Sequence, residues 1–188
     1  AGALDGSGQQ LDLHRLIVQT EAFFRQPARD RGLTLKIEQD PVPPYVLGDK
    51  LHLRQVLINL IGNAIKFTGT GGVTLRVSRA SGEVDTRFSV QDTGMGIAPE
   101  EQDRLFKPFS QTLTGLMSEQ GTGLGLALSS QYVRIMGGDL SLESTPGTGS
   151  CFSFRPRLPP TGADVSSQAQ GQDSIVGLEP GQPVRRVL

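Results

Sequence analysis

The stretch DKLHLRQVLINLIGNAIKFT, residues 49–68, combines two patterns in one predicted helix. Apolar residues occupy most of its sides, as in a helix that packs into a core. Polar residues three or four positions apart share the remaining face: His52, Gln55, Asn59, Asn63 and Lys66. Amides and a lysine on one face suit a metal ion and a phosphate, but amides can also bond to one another inside a core. This stretch alone leaves both interpretations open.

Composition limits the class of protein. A chain of 188 residues fits one ordinary domain with some tail. Its net charge of −1 provides no basic field, so nucleic acid is not expected as a partner. The single cysteine, Cys151, allows neither a disulfide framework nor a cysteine metal site. Because we find no bilayer-spanning stretch or signal peptide, we expect a cytoplasmic fragment without membrane contact, whose parent could still be a membrane-anchored sensor.

Helix and strand patterns along the chain predict an α+β fold. One mixed, mostly antiparallel sheet would carry helices packed on one face. Besides the helix capped by Asp49, helices are predicted at 12–31 and 99–105, and a further one starts in the glycine run and carries Leu124, Leu128, Val133 and Met136. Strands are predicted at 34–38, 73–78, 83–91, 139–143 and 150–155, with a loop at 41–44.

The two ends of the chain differ in composition from its middle. Residues 1–10 are rich in Gly, Ser and Gln and are predicted to be a linker. Residues 11–160 form the predicted folded domain. Residues 161–188 contain few apolar side chains and are predicted to be a flexible tether.

Two glycine-containing motifs are candidates for ligand binding. Asp92 closes a predicted strand, and Gly94 and Gly96 leave the backbone open beside its carboxylate. That carboxylate can accept a hydrogen bond from the exocyclic amine of adenine. Residues 121–126, GTGLGL, open the last helix, where free N–H groups and the helix dipole favour an anion. A turn-forming aspartate and tight helix packing are the respective alternatives.

Four segments in order resemble the N, G1, F and G2 boxes of the ATP-binding catalytic domain of sensor histidine kinases. They are NLIGNAIKFT at 59–68, DTGMGI at 92–97, FKPF at 106–109 and GTGLGL at 121–126. One glycine-rich motif is weak evidence, but four different motifs in a fixed order are strong evidence. That HATPase_c domain belongs to the GHKL superfamily, which includes gyrase, mismatch-repair and chaperone ATPases. The resemblance implies the Bergerat fold, a two-layer α/β sandwich.

The resemblance also implies an activity and a set of site residues. The chain would be the catalytic domain of a protein-histidine kinase in a two-component phosphorelay, with ATP and Mg²⁺ as cofactors. Asn63 would be the main protein ligand of the metal, with Asn59 as a second candidate, and Asn59 and Lys66 would be catalytic. The implied nucleotide-binding residues are Asn59, Asn63, Lys66, Phe67, Asp92, Gly94, Gly96, Ile97, Gly121, Thr122, Gly123, Leu124, Gly125 and Leu126.

Departures from the family pattern keep alternatives open. The predicted lid at 110–120 lacks the Arg or Lys often found before the G2 glycines. Hydrolytic relatives carry a glutamate base where this chain has Asn59, which disfavours an ATPase. Neither His14 nor His52 has the sequence context of a phosphoacceptor. The γ-phosphoryl group would therefore pass to a histidine on a separate dimerisation domain of the same parent; a GHKL-type ATPase or a non-catalytic nucleotide-binding module are the alternatives.

The last seven residues suggest one more partner. Residues 182–188, QPVRRVL, resemble the opening strand of a response-regulator receiver domain. The parent would then be a hybrid kinase, and residues 161–183 would link its catalytic and receiver domains.

Overall fold

The computed structural model describes residues 9–79, 86–102, 104–106 and 123–161. Within these ranges the chain forms four helices and seven strands, which we label in chain order. They are β1 (Gln9–Asp12), α1 (Leu13–Asp30), β2 (Thr34–Gln39), β3 (Tyr45–Gly48), α2 (Lys50–Phe67), β4 (Gly72–Arg79), β5 (Thr86–Asp92), α3 (Pro99–Gln102), α4 (Gly125–Ile135), β6 (Leu140–Thr145) and β7 (Gly149–Phe154).

Five strands form the main sheet in the order β2-β4-β5-β7-β6. Only the β2–β4 pair is parallel among these neighbours; the other three pairs are antiparallel. Alternate residues of β4, β5 and β7 point to one buried face, where the rings of Phe88 and Phe154 stack 5.1 Å apart. Helix α2 packs on that face against β4 and β5 and also contacts α1 and α4. The predicted mixed sheet with helices on one face is confirmed.

Side-chain caps fix where the two long helices start. Asp12 Oδ1 accepts a hydrogen bond from Arg15 N at 2.8 Å, and Asp49 Oδ1 accepts one from His52 N at 3.0 Å. The bond from His52 N also lowers the pKa of the Asp49 carboxyl group. Helix α1 ends before Gly32, whose φ of 68° is the left-handed conformation typical of a helix stop. The predicted starts of both helices are confirmed.

Three details of the fold differ from the prediction. Strand β1 starts at Gln9, inside the predicted 1–10 linker, because β1 pairs with β3 and buries Leu11. Strand β3 itself was not predicted, since four residues after a proline-rich loop give little pattern. Leu128 belongs to the apolar pattern of the last predicted helix but is 42% exposed, whereas Val133 of that pattern is buried together with Ala127, Ser129 and Ser130. The small serines allow α4 to approach α2 closely.

Several predicted segments lie outside the described residues. These are residues 1–8 of the linker, the start of the 83–91 strand, residues 107–109 of the F box, the lid at 110–120 and the tail at 162–188. None of the described helices is long and apolar enough to cross a lipid bilayer.

Candidate functional site

A cavity opens between the C-terminal half of α2, the segment after β5, and strand β7. Its empty volume is about 560 Å³, a figure that includes open solvent at its mouth. Its wall is mostly apolar, with a few polar groups that could orient a ligand. The lining residues are Asn63, Ala64, Phe67, Asp92, Met95, Gly96, Ile97, Glu101, Leu105, Leu126, Ser150 and Phe152.

Asp92 is the most buried charged group in this wall, with 8% of its surface exposed. Its Oδ1 accepts hydrogen bonds from Gly94 N at 2.8 Å and from Ser150 N at 3.3 Å. Burial raises the pKa of this carboxyl group above the usual aspartate value, and the two backbone donors oppose that shift. Within the described part of the chain both bonds end on Oδ1. Oδ2 therefore keeps its acceptor capacity for a ligand in the cavity.

The two glycines after Asp92 are required by close contacts. A side chain at Gly94 would lie 2.6 Å from the carbonyl oxygen of Phe67 and 2.9 Å from Asp92 Oδ1. Gly96 has a φ of 69°, and a side chain there would overlap the backbone of Thr145. The glycines therefore allow the loop after β5 to lie tightly against the end of α2 and against the β6–β7 hairpin.

The polar face of α2 is divided between several environments. Asn63 lines the cavity, as does the neighbouring Phe67. Lys66 is not among the lining residues; its Nζ lies over the Phe67 ring, 5.0 Å from the centroid. His52 stacks on Tyr132 of α4 with ring centroids 4.5 Å apart. Only part of the polar stripe therefore meets the cavity.

Asn59 makes contacts between helices. Its Nδ2 donates to Ser129 Oγ at 2.8 Å, and a side chain at Gly125 would overlap its amide group. Asn59 is not one of the lining residues. Its contacts match the alternative given for the polar face of α2, in which an amide bonds to a neighbouring side chain within the packed interior. Its suggested catalytic and metal-binding roles, and the catalytic role of Lys66, stay predictions.

The glycine run reaches the cavity at its C-terminal end. Gly123 has a φ of 67°, Leu124 precedes α4, and Leu126 lines the cavity. In the described residues, no side chain caps the first turn of α4, so its N–H groups are available to an anion. Gly121 and Thr122 lie outside the described residues.

Six lining residues were not predicted from the sequence: Ala64, Met95, Glu101, Leu105, Ser150 and Phe152. Ser150 and Phe152 reach the wall because β7 is paired with β5, which places Phe152 opposite Val90. The alternating pattern of 150–155 could have indicated which face they occupy. No local signal gives the pairing between β5 and β7, however, because about 60 residues separate these strands.

Comparison with known proteins identifies the family. A family model described as "Histidine kinase-, DNA gyrase B-, and HSP90-like ATPase" matches residues 48–160. The chain belongs to this ATPase family. The family assignment inferred from the four boxes is thereby confirmed, as is the ATP-binding character of the domain.

Two curated relatives of this ATPase domain are bacterial sensor proteins. The sensory/regulatory protein RpfC of Xanthomonas campestris pv. campestris is 39% identical over 82% of this chain and 22% of its own length. The sensor histidine kinase RcsC of Escherichia coli (strain K12) is 46% identical over 78% of this chain and 15% of its own length. The chain therefore matches the catalytic ATP-binding part of sensor histidine kinases and spans about a fifth or less of these relatives.

A solved structure gives the same result for the fold. The crystal structure of full-length ShkA in complex with AMPPNP matches with a TM-score of 0.75 and 36% sequence identity. The match covers 87% of this chain and 34% of that chain. The predicted fold class is confirmed.

Proposed function

We propose that this chain binds ATP·Mg²⁺ in the cavity and transfers the γ-phosphoryl group to a histidine on a separate dimerisation domain of its parent protein. The observation that carries the proposal is Asp92, a buried carboxylate in a mostly apolar cavity with one acceptor oxygen that no described residue uses. Adenine has the complementary chemistry, since its ring has two flat apolar faces and one exocyclic amine at its edge. Guanine has a carbonyl oxygen at that ring position and would face Asp92 with a second acceptor.

The apolar wall supports binding of the base. Phe67, Ile97 and Leu126 surround the cavity near Asp92, and Phe152 contributes from the sheet. Such side chains favour a flat heterocycle through area burial and aromatic contact. The AMPPNP in the ShkA crystal structure supports an adenine nucleotide as the ligand class.

The amide of Asn63 fits a metal that is already bound to phosphates. In the described residues, no group of three or more acidic, histidine or cysteine side chains could hold a metal alone. A single neutral oxygen suits Mg²⁺, which keeps most of its ligands as water and triphosphate oxygens. Asn63 would hold the metal, the metal would neutralise phosphate charge, and the first turn of α4 would bind phosphate oxygens. Lys66, three residues after Asn63, could add its charge by moving from the Phe67 ring.

Transfer to a histidine would depend on positioning and charge neutralisation more than on a general base. A hydrolytic relative needs a base to activate water, but Asn59 cannot accept a proton and is bonded to Ser129. This supports transfer to a partner over hydrolysis. Brisk steady-state ATP hydrolysis by the isolated chain would favour the ATPase alternative, and absence of any nucleotide binding would favour a non-catalytic module.

The remaining domains of the parent are part of this proposal. The curated relatives are several times longer than the match, which supports partner domains in the same polypeptide. We propose a dimerisation and histidine phosphotransfer domain and a response-regulator receiver domain as partners, with residues 161–188 leading to the latter. A cytoplasmic location of this domain, in a parent that could be membrane-anchored, is the matching proposal.

Asp92→Asn tests the proposal by calorimetric titration with ATP and Mg²⁺. We expect affinity to fall by about 10- to 100-fold, the effect of losing a hydrogen bond to a charged group. The ligand-free variant should keep its Tm, because burial disfavours the charged form of Asp92. Asp139→Asn is the matched control, since Asp139 has a side chain 89% exposed. Equal affinity of the Asp92→Asn variant and the wild-type chain would refute the proposed base recognition.

A further inference from the structure

Two side chains hold both backbone polar groups of Ile97, whose side chain lines the cavity. Ile97 N donates to Ser144 Oγ at 2.9 Å, and the carbonyl oxygen of Ile97 accepts from Gln102 Nε2 at 2.9 Å. Gln102 Nε2 also donates to the carbonyl oxygen of Ser144 at 3.2 Å. The loop after β5 is therefore tied to α3 and to β6 at the residue that supplies one apolar wall.

The Ser144 hydroxyl extends this connection to β7. Ser144 Oγ donates to the carbonyl oxygen of Gly149 at 3.0 Å and lies 2.9 Å from Ser150 Oγ. A hydroxyl has one proton to donate and two lone pairs. The Ser144 hydroxyl donates its proton to the carbonyl oxygen of Gly149, so its oxygen accepts from Ile97 N and from the Ser150 hydroxyl. All three bonding positions of the Ser144 hydroxyl are then used. The orientation of the Ser150 hydroxyl is then set by Ser144.

Ser150 connects the network to Asp92. Its backbone N–H donates to Asp92 Oδ1, and both residues line the cavity. Ser144 and Gln102 are not among the lining residues. They could therefore influence a ligand only by placing Ile97, Ser150 and Asp92 relative to one another.

We propose that Ser144 and Gln102 are positioning residues that determine adenine selectivity by fixing the Ile97 wall against the Ser150–Asp92 pair. This inference rests on the proposed binding of ATP in the cavity. Loss of either side chain leaves the lining residues present but releases the backbone that spaces them. When the Asp92 carboxylate is displaced, its hydrogen bond from the adenine amine weakens. Both the affinity for ATP and the selectivity for adenine then fall.

The chain contains a matched control on the other face of the same hairpin. Ser141 Oγ donates to the carbonyl oxygen of Ser153 at 3.0 Å and lies 2.9 Å from Ser153 Oγ. The Ser144 hydroxyl has the same two kinds of contact with Gly149 and Ser150. Only Ser144 also accepts from a residue of the cavity wall. Ser141→Ala therefore removes equivalent hairpin bonds without touching the site.

The experiment is calorimetric titration of the 188-residue chain with ATP and with ITP, both with Mg²⁺. ITP carries a carbonyl oxygen in place of the adenine amine. The ratio of the two affinities therefore measures how much the hydrogen bond from the amine contributes to binding. We expect Ser144→Ala to lower ATP affinity by about 3- to 10-fold, with a smaller change for ITP. Ser144→Thr should restore the ratio because it keeps the hydroxyl, and Ser141→Ala should lower Tm by a similar amount while leaving the ratio unchanged.

Gln102→Met provides a second route if Ser144→Ala does not fold, since it removes both amide bonds at nearly constant volume. It should also lower the ATP-to-ITP ratio. An unchanged ratio in both Ser144→Ala and Gln102→Met, in a chain that prefers ATP, would overturn the positioning role but leave the proposed function intact. A wild-type chain that does not bind ATP would overturn both, and one that binds ATP and ITP equally would overturn the positioning role together with the proposed base recognition by Asp92.

Discussion

The two ends of the cavity are built differently. At the proposed base end, Asp92 is buried and bonded to two backbone N–H groups, and side chains bond both polar groups of Ile97. At the proposed phosphate end, Asn63 is only half-buried, Lys66 lies over the Phe67 ring, and no described side chain caps α4. The base end is therefore organised by the fold itself.

This difference indicates where selectivity and turnover would be determined. A preorganised base end loses little entropy on binding and can reject the wrong base through an unpaired acceptor. The phosphate end offers a metal ligand and open N–H groups that become satisfied only when an anion is present. Changes that displace the backbone at the base end should therefore affect both stability and selectivity. Changes at the phosphate end should affect metal-dependent binding alone.

The largest effect is expected at the base end, from Gly96→Ala. The substitution places a side chain at a φ of 69° and against the backbone of Thr145, which cannot yield as a flexible side chain would. Gly32→Ala is a control for the conformational strain alone, since Gly32 has a φ of 68° and nothing within 4 Å of the added carbon. We expect Gly32→Ala to cost about 1–2 kcal/mol in urea unfolding, and Gly96→Ala to cost clearly more.

Nucleotide titration of the same two variants separates packing from strain. Gly96→Ala should also weaken ATP binding, because the displaced loop carries Ile97, whereas Gly32→Ala should bind as the wild-type chain does. Equal stability losses in the two variants, with unchanged ATP binding, would show that the base end tolerates displacement.

The contrast between the two ends also explains which parts could be predicted from the sequence. The capped helix α2, the polar face with Asn63, and Asp92 at a strand end are local patterns, and each could be identified within a short window. The same holds for the glycines at 94 and 96. The helix and strand patterns along the chain predicted the sheet and the layer of helices, and the order of four such motifs carried the resemblance to a family with that fold.

The contacts that hold the base end could not be predicted, because strand pairing brings them together. Ser144 meets Ile97 across 47 residues of sequence, and Ser150 meets Asp92 across 58. Ser144 and Ser150 are ordinary small polar residues in a hairpin, so their type and spacing carry no signal. The contact between Asn59 and Gly125 is also non-local, but it comes from the packing of α4 against α2. A polar stripe on α2 does not reveal which of its members will face another helix.

A smaller effect is expected at the phosphate end, from Asn63→Ala. Removing the proposed metal ligand should lower ATP affinity in the presence of Mg²⁺ by about tenfold, the order of one lost polar contact. Affinity measured with a chelator should change little, because the apolar wall and Asp92 are untouched. Gln55→Ala is the matched control, as Gln55 is an exposed amide on the same helix face. If Asn63→Ala weakened binding equally with and without Mg²⁺, Asn63 would contact the nucleotide and not the metal.

The smallest effect is expected from pH, and it has opposite signs for binding and for stability. Burial raises the pKa of Asp92 above its usual 3.8, so this carboxyl group becomes protonated at a higher pH than an exposed aspartate. A raised folded-state pKa means that its contribution to stability is fully present below the unfolded value and is lost as pH rises through the folded value. Lowering the pH from above the folded-state pKa of Asp92 towards the unfolded value of 3.8 therefore increases the contribution of Asp92 to the free energy of unfolding.

Protonation of Asp92 also removes the negative acceptor for the hydrogen bond from the adenine amine. The ratio of ATP to ITP affinity should fall as pH is lowered into the window above 3.8, while the Asp92 contribution to stability increases. Taking the ratio at each pH cancels protonation of the phosphates, which the two nucleotides share, but not protonation of the adenine ring, which ITP lacks. Asp92→Asn should show a low ratio whose pH dependence comes from the adenine ring alone, so the difference between the wild-type chain and this variant reports Asp92. A wild-type ratio with the same pH dependence as that of the variant would mean that a group other than Asp92 distinguishes the base.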